Sequence, residues 1–125
     1  MTPEAAIYSF LSGFGIPAYA ASSVPDDQPF PYITYELVIS DGFGSGEVMM
    51  TANVWYRTDS EALPNAKVRE IHKAIGRGGV TLPCDGGMLW LKRGTPWAQA
   101  VSMSGTDEKV KRRYLNIDIE YLTIE

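Results

Sequence analysis

The pattern of apolar residues predicts an α+β domain, a mostly antiparallel sheet with two helices packed on one face. Three observations carry this. Two amphipathic stretches of helical period lie near the start and at mid-chain, two long runs at 32–39 and 114–124 alternate with period two, and glycine- or proline-rich connections are short enough for hairpins. At 125 residues and 45% hydrophobic content, the chain has the size of a single domain, 1–125, able to build a core without disulfide or metal. It shows no linker, internal repeat or low-complexity segment.

The first helix is expected to start at the N-terminus. Thr2 can cap it, Pro3 suits the first helical position, and Ile7, Phe10, Leu11 and Phe14 recur at i, i+3, i+4 and i+7. Gly13, Gly15 and Pro17 end it, and residues 24–31, with three prolines and two aspartates, predict an extended surface loop.

From Tyr32 the alternation places Ile33, Tyr35, Leu37 and Ile39 on one side and Tyr32, Thr34, Glu36 and Val38 on the other. A glycine-rich connection at 41–46 follows, and then Val48, Met50, Ala52, Val54 and Tyr56 alternate over 47–56, so the two runs predict a hairpin.

Thr58 and Glu61 stand at capping-box spacing before a second helix, in which Val68, Ile71 and Ile75 mark the buried side and Lys67, Arg69, Glu70 and Lys73 the wet side. Pro64 is expected to kink or delay its first turn, and Gly76 to stop it, with Gly78-Gly79 continuing the break.

Residues 80–82, 88–91 and 98–103 read as short strands separated by Pro83-Cys84-Asp85-Gly86-Gly87 and Arg93-Gly94-Thr95-Pro96. The last strand, 114–124, sets Leu115, Ile117, Ile119 and Tyr121 against Asn116, Asp118 and Glu120.

Chemistry is sparse. The formal net charge of −4 and pI near 4.9 leave no global basic field to hold nucleic acid by its phosphates. Cys84 stands alone, which excludes an internal disulfide framework and suits a reducing cytoplasm. No apolar run approaches the roughly 18 residues of a spanning helix, and the start lacks signal-peptide character, so neither membrane insertion nor secretion is expected.

A nucleophile would need a base, and the single histidine, His72, reads as the border of a packed helix face, with Cys84 a turn residue. No CxxC, HExxH or DxDxDG pattern occurs, and Asp26-Asp27 and Asp118 with Glu120 read as solvated charge. Gly42-Phe43-Gly44-Ser45-Gly46 lies between strands and matches no phosphate-cradling loop. Lys109, Lys111, Arg112 and Arg113 form the one basic patch and read as a solvated edge or subunit contact leading into a strand.

No catalytic, cofactor-binding or metal residue is therefore assigned, and no enzyme is expected. What remains are aromatic residues in or beside loops: Phe30, Tyr32, Phe43, Trp90 and Trp97. Rings of this kind are enriched at protein interfaces, although core burial accounts equally well for Trp90 and Trp97. The candidate assembly contacts are Phe30, Phe43, Trp90, Trp97, Arg112 and Arg113. Replacing Phe43 by Ser is expected to weaken assembly without unfolding the subunit; an unchanged assembly contradicts that role.

Several segments carry a family resemblance: Phe30-Pro31-Tyr32-Ile33-Thr34-Tyr35-Glu36, Val54-Trp55-Tyr56-Arg57, Ala74-Ile75-Gly76-Arg77-Gly78-Gly79, Leu82-Pro83-Cys84-Asp85-Gly86-Gly87 and Lys111-Arg112-Arg113-Tyr114-Leu115-Asn116-Ile117. In these, and in the order of its elements, almost the whole chain resembles the tail terminator and tail-completion proteins of siphophages and myophages. The resemblance implies a virion protein, assembled in the host cytoplasm, that forms a ring, typically a hexamer, on the head-proximal end of the tail tube. Its partners would be the tail tube protein and the head-tail connector or stopper, with genomic DNA passing through without specific binding. An acidic subunit suits that passage. The alternatives are a stopper or adaptor on the head side of the neck and, in another class, a small ligand-binding regulatory domain.

Overall fold

The computed structural model describes residues 1–38, 47–101 and 107–123. The first helix, α1 (Pro3–Leu11), begins as its sequence requires: Thr2 Oγ1 accepts from the Ala5 N–H at 3.1 Å, and Pro3 occupies the first turn. A 3₁₀ turn (Ser12–Phe14) and Gly15 at φ 81° end it. The chain then forms β1 (Ala18–Ala20), a second 3₁₀ turn (Ala21–Ser23), β2 (Tyr32–Val38), β3 (Glu47–Arg57), the second helix α2 (Ala62–Ile75), β4 (Val80–Cys84), β5 (Gly87–Val101) and β6 (Val110–Thr123).

The domain is α+β. Its six strands form one mixed sheet in the order β1-β2-β3-β6-β5-β4, with every neighbouring pair antiparallel except the parallel β1 and β2. In one set of alternating positions, Ile33, Val48, Met50, Ala52, Val54, Leu89, Leu91, Leu115, Ile117 and Ile119 are buried and share a single cluster with Ile7, Leu11, Ile71 and Ile75 of the helices. Each fully buried side chain of this size contributes about 1.5–3 kcal/mol. α1 packs against β4 and β1, and α2 against β3, β5 and β6.

Four local expectations need correction. The strand pieces expected at 88–91 and 98–103 belong to one strand, β5, whose register against β6 shifts between Arg93 and Ala98. Residues 94–97 bulge opposite Asn116, whose Nδ2 donates to the Pro96 carbonyl at 2.9 Å. A bulge tolerates the glycine and proline that would break a regular ladder.

The capping box does not form. Thr58 Oγ1 accepts from the Ser60 N–H at 3.0 Å and Ser60 Oγ from the Ala62 N–H at 3.2 Å, while the Glu61 carboxylate turns to Arg113. Pro64 neither delays nor precedes the helix but sits in its first turn, where a missing N–H forfeits no helical bond. Lys111, Arg112 and Arg113 of the basic run stand inside β6 rather than before it, with only Lys109 ahead of the strand, because pairing with β3 extends to Val110 opposite Arg57.

The three-residue β1, docked parallel to β2 by pairing Ala18 with Ile33, is too short to leave a period in the sequence. The connection at 41–46, with Phe43, lies outside the described residues, as do Ile39, residues 102–103 and Ile124.

Candidate assembly surface

The alternate positions of the sheet, facing away from the buried set, carry a different chemistry. Cross-strand pairing aligns Tyr32, Trp55 and Arg112 in one row, then Thr34, Asn53 and Tyr114, then Glu36, Thr51 and Asn116, and then Met49 and Asp118 with Lys92. None of these side chains is apolar and buried. The first row and its neighbours form a connected stripe: Phe30 packs on Tyr32 with centroids 5.3 Å apart, and Tyr32 stacks on Trp55 at 6.3 Å. The Arg112 guanidinium lies over Trp55 at 5.2 Å and over Tyr114 at 5.7 Å.

Polar bonds hold the stripe in place. Trp55 Nε1 donates to Thr34 Oγ1 at 2.9 Å, and Arg112 Nε donates to Asn53 Oδ1 at 2.6 Å. Partial burial pushes the Tyr32 phenol above its ordinary range, so it stays a neutral donor. Arg112 has no carboxylate partner among the described residues, whereas Arg57, Lys67, Lys92, Lys109, Lys111 and Arg113 each have one. Among the described residues no acceptor binds its terminal guanidinium nitrogens, which can therefore take an incoming anion, and ring stacking keeps the planar fork oriented.

The other expected contacts separate by environment. Phe30 is 36% exposed at the end of the stripe. Trp90 lies on the same side of the sheet beyond Lys92, whose ammonium sits 4.5 Å over its ring, and its Nε1 donates to the Gly78 carbonyl at 2.8 Å. Glu47, accepting from Lys92 at 2.8 Å, holds that amine protonated above its usual range.

Trp97 belongs to the β5 bulge. It packs partly buried against the core beside His72, with ring centroids 5.6 Å apart. Arg113 is 6% exposed and works inside the subunit: its Nε donates to Asn65 Oδ1 at 3.0 Å and its Nη2 pairs with Glu61, tying β6 to the start of α2. Burial and pairing thus remove it as an external contact of the folded subunit.

His72 contacts Arg93, which lies 3.0 Å from its Nδ1, and Trp97; no hydrogen bond joins it to Cys84. Burial, with the nearby Asp85 charge, pushes the Cys84 thiol up, away from the reactive thiolate. Among the described residues no group of histidine, cysteine, aspartate or glutamate could hold a metal ion, and no helix is long and apolar enough to cross a membrane.

A groove of about 360 Å³ opens where β1 stops at Ala20 and β2 runs on, lined by Ala20, Ala21, Ser22, Tyr35, Glu36 and Leu37. Among the described residues β2 is paired beyond that point on one side only, with β3.

Trp55, Asn53 and Tyr114 are the surface residues that sequence reasoning missed. Their signal was parity: Trp55 falls on the same side of its strand as Glu47, Thr51 and Asn53, opposite the apolar set. No protein-family model matches the chain, and no curated protein sequence matches it.

Proposed function

We propose that this protein is a tail terminator, a non-enzymatic subunit that rings the head-proximal end of a phage tail tube and offers the surface met by the head connector. The observation that favours an assembly role is the stripe of Phe30, Tyr32, Trp55 and Arg112: a wide aromatic surface carrying a cation with no carboxylate partner among the described residues. Aromatic and arginine side chains of this kind supply much of the binding energy in protein interfaces.

In this reading both helices cover one face of the sheet, leaving the other for partners, and the ring is typically hexameric. Ring closure needs two different surfaces on each subunit. The unpaired edge of β2, with its groove, is one candidate. The β4 edge is a poor strand acceptor because Pro83 offers no N–H. The net charge of −4 suits a lumen through which DNA slides without being held.

Immunogold labelling of virions with antibody against this chain tests the proposal. Gold at the head-proximal end of the tail is expected; gold on the tail tip or the capsid shell overturns it.

A further inference from the structure

The outward side of the sheet has two unlike ends. The row at one end holds Tyr32, Trp55 and Arg112; two rows away from it stand Glu36, Thr51 and Asn116, and one row further Met49 and Asp118. Arg112 is a cation without a carboxylate, and Asp118 a carboxylate without a cation, among the described residues. Lys92, beside Asp118 in the register, is committed instead to Glu47 at 2.8 Å and Glu120 at 3.6 Å. Met49 is 52% exposed, and Met88 and Leu122, paired on the same side, are exposed as well.

The spacing of these rows is symmetric. A two-fold axis lying across the strands, midway between the Thr34, Asn53, Tyr114 row and the Glu36, Thr51, Asn116 row, carries the Arg112 row onto the Asp118 row. In the same operation Trp55 is carried onto Met49. One rotation therefore sets a lone cation against a lone anion twice, and an aromatic ring against an exposed thioether twice.

We infer that this sheet surface is self-complementary, and that the free protein pairs through it with a second copy of itself. The contact is face to face, strands running oppositely, with Arg112 of each copy on Asp118 of the other and Trp55 on Met49. Aligned sheet packing tolerates the twist of both sheets. The dimer does not rest on the virion reading: it is a property of the purified chain.

The test is sedimentation equilibrium of the purified protein, alongside Arg112→Glu, Asp118→Arg, the double exchange of both, and Met49→Asp. Wild-type protein is expected to sediment with a dimeric contact that either single reversal weakens at least about tenfold and the double exchange restores. Met49→Asp, a change at an exposed side chain, is expected to weaken it too while leaving the far-ultraviolet circular dichroism spectrum of the folded chain unchanged. A wild-type monomer overturns the inference. So does association that survives both single reversals, or a folded double exchange that fails to recover it.

Discussion

Two consecutive arginines in one strand have opposite fates because β-strand side chains alternate. Arg113 points to the side of the core, where it is buried and bound to Glu61 and Asn65; Arg112 points outward over Trp55 and Tyr114. Urea unfolding of Arg113→Ala is expected to show a loss of about 1–3 kcal/mol, since Asn65 loses its donor and α2 its tie to β6. Arg112→Ala is expected to change stability by less than about 1 kcal/mol, the value of an exposed cation–π contact. Equal losses at both positions would contradict the assignment. The sequence grouped the two as one basic patch; parity along the strand separates them, and the position of Trp55 on the outward side was legible by the same count. Cys84 gives a second residue-scale expectation: its raised thiol pKa leaves less thiolate at neutral pH, so iodoacetamide should label it more slowly in the folded protein than in urea. Equal rates would refute this.

At the scale of elements, the long strands and both helices were legible because each repeats its period several times: Val48, Met50, Ala52 and Val54, or Leu115, Ile117 and Ile119, leave no other register that buries them. β5 was not, because Gly94, Thr95 and Pro96 read as a break, and only the partner strand reveals that Asn116 satisfies the Pro96 carbonyl and lets the strand continue. A Cβ on Gly94 would stand 2.8 Å from both the carbonyl oxygen and the Cβ of Asn116. Gly94→Ala is therefore expected to cost about 1–3 kcal/mol, as overpacking does, and to lower Tm by several degrees; an unchanged Tm would mean the bulge is not packed as described. Where β3 and β6 meet, the backbone N–H of Lys109 and then the Arg57 guanidinium hold the Asp107 carboxyl below its usual range. A lowered folded pKa contributes stability above the unfolded carboxylate value and loses it as pH falls from the ordinary carboxylate range through the lower folded one. Asp107→Asn is expected to flatten that part of the unfolding-versus-pH curve; an identical acid slope would contradict it.

At the scale of the whole molecule, the α+β class follows from the periods alone, but the parallel docking of β1 and the strand order β1-β2-β3-β6-β5-β4 depend on contacts between segments far apart in the chain. The candidate surface was legible only in part for the same reason. Phe30 and Arg112 stood out by type, whereas the stripe they share exists only once Tyr32, Trp55 and Tyr114 are brought side by side across three strands. Such a surface supports the proposed assembly role, and the proposal that its partners are those of a tail terminator rests on the resemblance of its segments. The most direct measurement is electron microscopy of lysates from a phage in which this gene is interrupted, with tail lengths measured beside the heads. Overlong or irregular tails, unjoined, are expected next to DNA-filled heads; tails of normal length and finish beside leaking or tailless heads would contradict the proposal and move the protein to the head side of the neck.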